Sequence, residues 1–274
     1  MSRLTTFLVC VCLIGTFAGG SEAQTAGLGL RPMRLEMEVV PGKSKTASFV
    51  IESPPSDTEV RGRLILSLSD WGIHEDASVT YYDPGSQPKS ASPWIIFSPS
   101  DMTIASGQER LVRVTADVPA DAVPGVYTSA VFVQERPPAR EPLKGEQLLY
   151  FRFRYVVSIY VIVQPVSTKG EIGDFQLTRN AQGLRLECQL KNSGTRHLRP
   201  NISWFLRSEG EELIAERNVE TTVLLPAATT RETLSVPALP PGEYEIEAQV
   251  DFHDGQPLQS IRRKVRVVPL SASQ

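Results

Sequence analysis

Apolar side chains recur at every second position along most of this chain, and this alternation restricts its fold more than any other feature. Leu35, Met37 and Val39 alternate with charged residues, and the same rhythm returns at residues 64–68 and 112–118. A period of two places alternate side chains on opposite faces of a β-strand, so that one face can be buried. Helical periodicity of any length is absent. The sequence therefore predicts an all-β protein.

The N-terminus has the pattern of a secretory signal. Arg3 precedes an apolar stretch at residues 7–18, and small residues follow at Ser21 and Ala23, which is typical of a cleaved signal peptide. We expect a signal peptide over residues 1–23, no membrane span after its cleavage, and a periplasmic or secreted location. The formal net charge of -3 provides no field that would attract nucleic acid, so nucleic acid is not an expected partner.

The rest of the chain divides into two halves with the same β pattern. A short polar segment at residues 167–170 separates them, and we predict one domain over residues 24–166 and a second over residues 171–270. Each half carries a Pro-Gly-x-Tyr turn before a late strand, at residues 124–127 and 241–244. Immunoglobulin-like sandwiches place a tyrosine there, with its hydroxyl bonded back to the corner. The predicted fold is therefore two immunoglobulin-like β-sandwich domains in tandem.

Residues that could carry catalysis or hold a metal are sparse. Cys188 is the only cysteine after residue 23 and alternates with leucines, so we predict a buried thiol, and Trp204 is expected in the core by the same alternation. His253 lies between Asp251 and Asp254, but no second histidine or cysteine stands at metal-ligand spacing, and a solvated hairpin end is the favoured interpretation. No nucleophile elbow or phosphate-binding glycine loop occurs. We expect no catalytic residue, metal or cofactor, and hence a binding protein.

The longest strand candidate covers residues 150–163, more than twice the usual length of about five or six residues. One set of alternate residues is almost entirely apolar. The other set is the candidate partner-binding surface: Arg152, Arg154, Val156, Ser158, Tyr160 and Ile162. Two interpretations remain open at this point. The strand is either buried on both faces between two sheets, or it forms an edge that pairs with a strand of another protein.

The pattern as a whole resembles the periplasmic PapD-like pilus chaperones. The resemblance is carried by the first mature strand at residues 30–42, by the strand and proline-rich segment at 118–138, and by the long strand that ends at Pro165. The second half, with residues 223–226 and 239–244, is similar to C-terminal domains of related secreted proteins. The resemblance implies that the long strand adds to an incompletely folded pilin-like or other secreted subunit, in the manner of β-strand addition.

The resemblance also implies two basic residues that anchor the terminal carboxylate of the subunit. Arg34 would be one of them, and its alternative role is that of a solvated strand residue. The family has a lysine shortly before the position of Pro165, where this chain has Tyr160. Arg152 and Arg154 lie farther back along the strand and do not match that position.

A second resemblance suggests a different kind of binder. Residues 92–99, Gly107 and residues 118–127 are similar to a domain of cell-surface proteins that hold other wall-associated proteins. Our leading prediction is a periplasmic chaperone-like protein that binds a secreted subunit through its long strand. The alternative is a non-enzymatic structural or adhesion protein of the cell surface or envelope.

Overall fold

The protein is described by a computed structural model of residues 27–55, 61–136, 153–180 and 183–268, without the side chains of residues 61, 179 and 180. The predicted signal peptide, residues 1–23, lies outside these ranges. The first ten strands are β1 Gly29–Arg31, β2 Arg34–Val39, β3 Ser44–Glu52, β4 Arg61–Ile73, β5 Val79–Tyr82, β6 Ile95–Ser98, β7 Asp101–Ala105, β8 Glu109–Asp117, β9 Gly125–Arg136 and β10 Arg154–Val163. The remaining seven are β11 Gly170–Asn180, β12 Gly183–Asn192, β13 Asn201–Ser208, β14 Leu213–Glu220, β15 Thr229–Pro237, β16 Gly242–Asp251 and β17 Gln259–Val267.

Strands β1 to β10 form an N-terminal sandwich of two sheets. One sheet has the order β1-β3-β8-β6, and the other has the order β2-β10-β9-β4-β5, with β7 also paired to β4. The alternation seen in the sequence determines which side chains enter the space between the sheets. In β2, for example, Leu35, Met37 and Val39 are buried while the intervening charged residues are exposed.

The first two strands, β1 and β2, belong to different sheets. β1 pairs antiparallel with β3, so that Arg31 lies opposite Val50. After Pro32 and Met33 the chain enters the other sheet, where β2 runs parallel to β10. A proline carries no amide hydrogen and cannot donate to a strand ladder, which explains why pairing is interrupted here. We call this change of sheet between β1 and β2 the sheet switch. It determines how much of the β10 edge is paired with β2.

Strands β11 to β17 form a C-terminal sandwich with sheet orders β11-β12-β15 and β14-β13-β16-β17. Trp204 and Cys188 are both buried in its core, as predicted. Burial raises the pKa of the Cys188 thiol to about 12, with Glu232 adding to the effect. A thiol with so high a pKa is hardly ever a thiolate and is chemically inert. The all-β fold of two tandem sandwiches is thus confirmed, whereas the domain limits 24–166 and 171–270 stay predictions.

Both predicted tyrosine corners are present. The Tyr127 hydroxyl donates to the carbonyl oxygen of Val123 at 2.9 Å. The Tyr244 hydroxyl donates to the carbonyl oxygen of Pro240, also at 2.9 Å. Each bond joins the start of a late strand to the residue four positions earlier and so fixes the turn that delivers the strand. In the N-terminal sandwich that late strand is β9, the neighbour of β10.

Candidate functional site

The candidate site is the edge of β10 that faces away from β9. β10 pairs antiparallel with β9 from Arg154 to Val163. On its other side β2 pairs with it in parallel, but only from Ser158 to Val163. The first four residues of β10, Arg154 to Val157, therefore have a strand on one side only, among the described residues. We call these four residues the open stretch.

Backbone groups of the open stretch point away from the sheet. The Ser158 amide donates to the carbonyl oxygen of Met33 at 2.9 Å, so it faces the β2 side. Amides alternate in direction along a strand with a period of two. The amides of Val156 and Arg154 therefore face the same side, beyond the point where β2 begins. No strand in the described part of the chain lies on that side of them.

The expectation of one free edge over residues 150–163 is wrong for most of β10. The strand begins at Arg154, and Phe153 precedes it. Residues 150–152, including the candidate Arg152, lie outside the described residues. From Ser158 onward β2 already occupies the edge. The physical reason is that β2 brings Leu35, Met37 and Val39 into the core, which ties it to β10.

The candidate residues of the second set share the outer face of the sheet but differ in accessibility. Arg154 is exposed, and its guanidinium lies over the Phe132 ring with 4.7 Å to the ring centroid. Val156 and Ser158 are half-buried. The structure therefore places three of the predicted side chains at or beside the open stretch, on the outer face of the sheet.

Tyr160 and Ile162 lie deeper and are not accessible to a partner. Their exposed fractions are 3% and 0%, because this part of the face packs against the C-terminal sandwich. The Tyr160 ring meets the edge of Trp71 at 5.3 Å between centroids and stacks on His197 at 4.6 Å. Their assignment as partner-binding residues is corrected by this geometry: both hold the two sandwiches together.

Arg34 lies at the first residue of β2, directly opposite Ser158. Its side chain is 52% exposed, and its Nε is 3.3 Å from Oε1 of Glu36. The same carboxylate accepts from Arg199 at 3.2 Å and lies 3.3 Å from Nε2 of His197. Arg34 thus stands where the open stretch ends, next to a carboxylate of its own chain.

Glu36 is the centre of a polar cluster between the sandwiches. Its hydrogen bond with His197 lowers its pKa to about 2, with help from Arg199 and against the opposing effect of burial. Arg199 also lies over the Tyr160 ring, 5.2 Å from its centroid. Arg196, His197 and Arg199 lie close together in the sequence, but which carboxylate they meet depends on how the sandwiches pack. Sequence reasoning therefore missed His197 and Arg199.

Large apolar side chains surround the open stretch. Met33 is 57% exposed and Phe153 is 50% exposed. On the outer face, the exposed Tyr81 ring contacts the Phe132 ring edge-on at 5.0 Å. Contiguous apolar groups beside unpaired backbone are characteristic of a surface that binds protein.

Other kinds of site find no support in the described ranges. No group of three or more histidine, cysteine, aspartate or glutamate residues within them is placed to hold a metal ion. No helix in this part of the chain has the length and apolarity needed to cross a membrane. His253 pairs with Asp251 at 3.2 Å on the surface of a hairpin end.

Comparisons with known proteins give similarity at the level of structure only. No family model matches this sequence, and no curated protein matches it. The class 5 fimbriae chaperone CfaA is similar with a TM-score of 0.46 and 10% identity, covering 89% of this chain and 100% of its own. The Salmonella enterica complex of the SafA pilin with the SafB chaperone is similar with a TM-score of 0.46 and 13% identity, covering 87% of this chain and 96% of that chain.

A chaperone–tip adhesin complex of CFA/I fimbriae is similar too, with a TM-score of 0.47 and 10% identity over 88% of this chain and 100% of that chain. These are proteins of the kind that the sequence pattern resembles. The fold assignment rests on the sheets described above.

Proposed function

We propose that this protein is a periplasmic, non-enzymatic chaperone that binds a pilin-like or other secreted subunit by β-strand addition to the open stretch of β10. One observation carries the proposal: the amides of Arg154 and Val156 face away from β9, and no described strand pairs with them. In strand addition, backbone hydrogen bonds supply affinity and alternate side chains supply register. The similar structures include fimbrial chaperones, and that role is transferred here as part of the proposal. The periplasmic location rests on the predicted signal peptide.

A subunit strand does not displace β2 in this proposal. Displacement would expose Leu35, Met37 and Val39, each of them at most 5% exposed now. Burial of such a side chain contributes about 1.5–3 kcal/mol, so that removing all three costs roughly 5–9 kcal/mol. The hydrogen bonds gained would replace those lost with β2, each with a net contribution of about 1 kcal/mol. The subunit therefore uses the open stretch.

Arg34 has a defined place in this arrangement. An added strand that follows the open stretch towards the C-terminal sandwich ends against the first residue of β2, where the half-exposed Arg34 side chain lies. A carboxylate at the end of that strand would compete with Glu36 for the guanidinium. Arg34 is therefore the basic partner-binding residue in this proposal, and Tyr160 has no such role.

Site-specific photo-crosslinking tests the proposal in the producing cells. A benzoylphenylalanine at position 154 should form adducts with an exported protein, whereas one at the exposed Ile96 on the opposite sheet should not. Val156→Pro removes the outward amide and should abolish the adducts. Val156→Thr keeps that amide and a β-branched side chain, and it should preserve them.

The proposal fails if the folded Val156→Pro variant forms the same adducts as the wild type. The alternative role, a structural or adhesion protein of the envelope, predicts adducts at other surface positions that do not depend on the Val156 amide. Circular dichroism of both Val156 variants provides the control for folding.

A further inference from the structure

The N-terminal sandwich is open at the corner where β1 and β2 separate. The opening lies between β1 in one sheet and the open stretch of β10 in the other, and we call it the corner mouth. Its apolar lining comes from Leu28, Pro54, Pro55, Phe153 and Tyr155. Glu52 and Glu109, which both pair with Arg31, also line it. The opening as a whole has a volume of about 570 Å³, which is ample for one large side chain.

A regular row of side chains stops at this mouth. Along the edge of the sheet, β2 places Leu35 opposite Ile159, Met37 opposite Val161 and Val39 opposite Val163. All three side chains of β2 in this row are buried between the sheets. Each inward position of the edge strand next to β10 is therefore filled by an apolar side chain as far as β2 extends.

The same register, continued backwards, reaches residues that have left the sheet. Met33 would stand opposite Val157, but it lies in a bend with its side chain largely exposed. Arg31 would stand opposite Tyr155, but it pairs with Val50 in the other sheet. The row thus lacks its inward side chain beside Tyr155, at the level of the open stretch.

The chain's own backbone holds the Tyr155 side chain in place at the mouth. The Tyr155 hydroxyl accepts a hydrogen bond from the Leu28 amide at 2.8 Å. Gly27 permits this close approach, since a Cβ there would lie 2.7 Å from the hydroxyl oxygen and the residue has a φ of 137°. Because its hydroxyl is engaged, the ring presents an apolar surface to the mouth.

We propose that the corner mouth is a register pocket that receives one bulky apolar side chain, such as Leu, Met or Phe, from the strand added to β10. An added residue opposite Tyr155 points to the same face of the sheet as Tyr155, because side chains of paired strands share faces. It continues the row of Leu35, Met37 and Val39 and completes the sandwich at this corner. The inference rests on the proposed function. It adds the chemistry that determines which residues of a subunit strand pair with the open stretch.

A tethered strand provides the test. A host strand of alternating Thr and Val with one guest position is joined through a Gly/Ser linker ahead of Gln24, so that its effective concentration is in the millimolar range. The guest is Ala, Leu or Phe, and it is moved along the host in separate proteins. Amide exchange measured by NMR reports pairing at Val156, and the Ser158 amide, which already bonds to Met33, is the internal reference.

We expect the Leu and Phe guests to slow exchange of the Val156 amide about tenfold more than Ala, at one guest position and not at its neighbours. Phe153→Ala should reduce this preference, and Phe153→Leu should retain it. Equal protection by all three guests at every position overturns the register pocket and leaves strand addition intact. Absence of protection with every guest contradicts strand addition itself.

Discussion

Asp70 is fully buried in β4, on the face that carries Leu64, Leu66 and Leu68 into the core. The hydroxyl groups of Ser90 and Ser92 donate to its carboxylate at 2.7 and 2.5 Å, and the Gln87 amide donates at 3.0 Å. Burial by itself would raise the pKa of Asp70. The three hydrogen bonds outweigh it and hold the pKa below the usual range. Asp70 thus fastens the segment after β5 to the sheet that carries the site.

Replacing Asp70 with Ala should lower the free energy of unfolding by about 3 kcal/mol, because two buried hydroxyl groups and a partly buried amide lose a charged acceptor. Urea denaturation measures the change. Asp76→Ala is the matched control, since Asp76 accepts similar bonds from Ser78 on an exposed turn, and it should change the free energy of unfolding far less. Equal losses in the two variants would contradict the structural role of Asp70.

Local sequence patterns predicted the hydrogen bonds of some residues but not those of others. The Pro-Gly-x-Tyr motifs predicted the bonds of Tyr127 and Tyr244, because donor and acceptor lie within five residues of each other. Asp70 interrupts an apolar row, and its donors come from a later segment that the row does not specify. A buried charge of this kind becomes interpretable only when the fold has brought the donors to it.

At the scale of elements, β10 has two differently protected parts along one edge. The Ser158 amide is bonded to Met33, while the Val156 amide on the same side has no described strand beside it. In the free protein we expect the Val156 amide to exchange with solvent about a hundredfold faster than that of Ser158. NMR-detected hydrogen exchange measures both. Similar protection at the two positions would mean that another segment of the chain covers the open stretch.

The alternation in the sequence predicted strands β2 and β10 but not their contact. Alternation specifies which face of a strand is buried, and it carries no information about the neighbouring strand. The parallel partners Arg34 and Ser158 are separated by most of the first domain. Pro32 interrupts the run between β1 and β2 and is the one local signal of the sheet switch. The prediction of a long strand was therefore correct, but the expectation that its whole edge is free was wrong from Ser158 onward.

At the scale of the whole molecule, an apolar cluster and a polar cluster fix the two sandwiches relative to each other. Tyr160 and Trp71 of the N-terminal sandwich pack with Val223 of the C-terminal one. Beside them, Glu36 bonds to His197 and Arg199 across the junction. Both clusters lie at the end of β10 that is remote from the open stretch. The family that the sequence resembles has a lysine at the position of Tyr160, and in this chain Tyr160 is part of the junction.

The Glu36 cluster should make the stability of the molecule depend on pH in acid. In the unfolded chain Glu36 titrates near its ordinary pKa of 4.5, and in the folded protein near about 2. Its contribution to the free energy of unfolding is therefore complete above pH 4.5 and is lost as the pH falls towards 2. Wild type and Glu36→Gln should differ by roughly 1 kcal/mol at pH 7, the order expected for partly exposed ion pairs.

Urea denaturation at pH 7, 4 and 3 measures that difference, which should shrink with falling pH. Glu38→Gln is the control, because Glu38 has a single, more exposed ion pair with Arg196. A difference between wild type and Glu36→Gln that stays constant down to pH 3 would contradict the assigned role of the carboxylate.

The parallel cover of β2 over β10 has a consequence for the protein on its own. Two copies could stack through β10 only along the few residues from Arg154 to Val157. Cross-β stacks need segments of about six or seven residues, preferably with little charge. The outermost strand, β2, carries Arg34, Glu36 and Glu38 in alternation, and charged side chains discourage such stacking. The protein should therefore not polymerise into fibres through this edge.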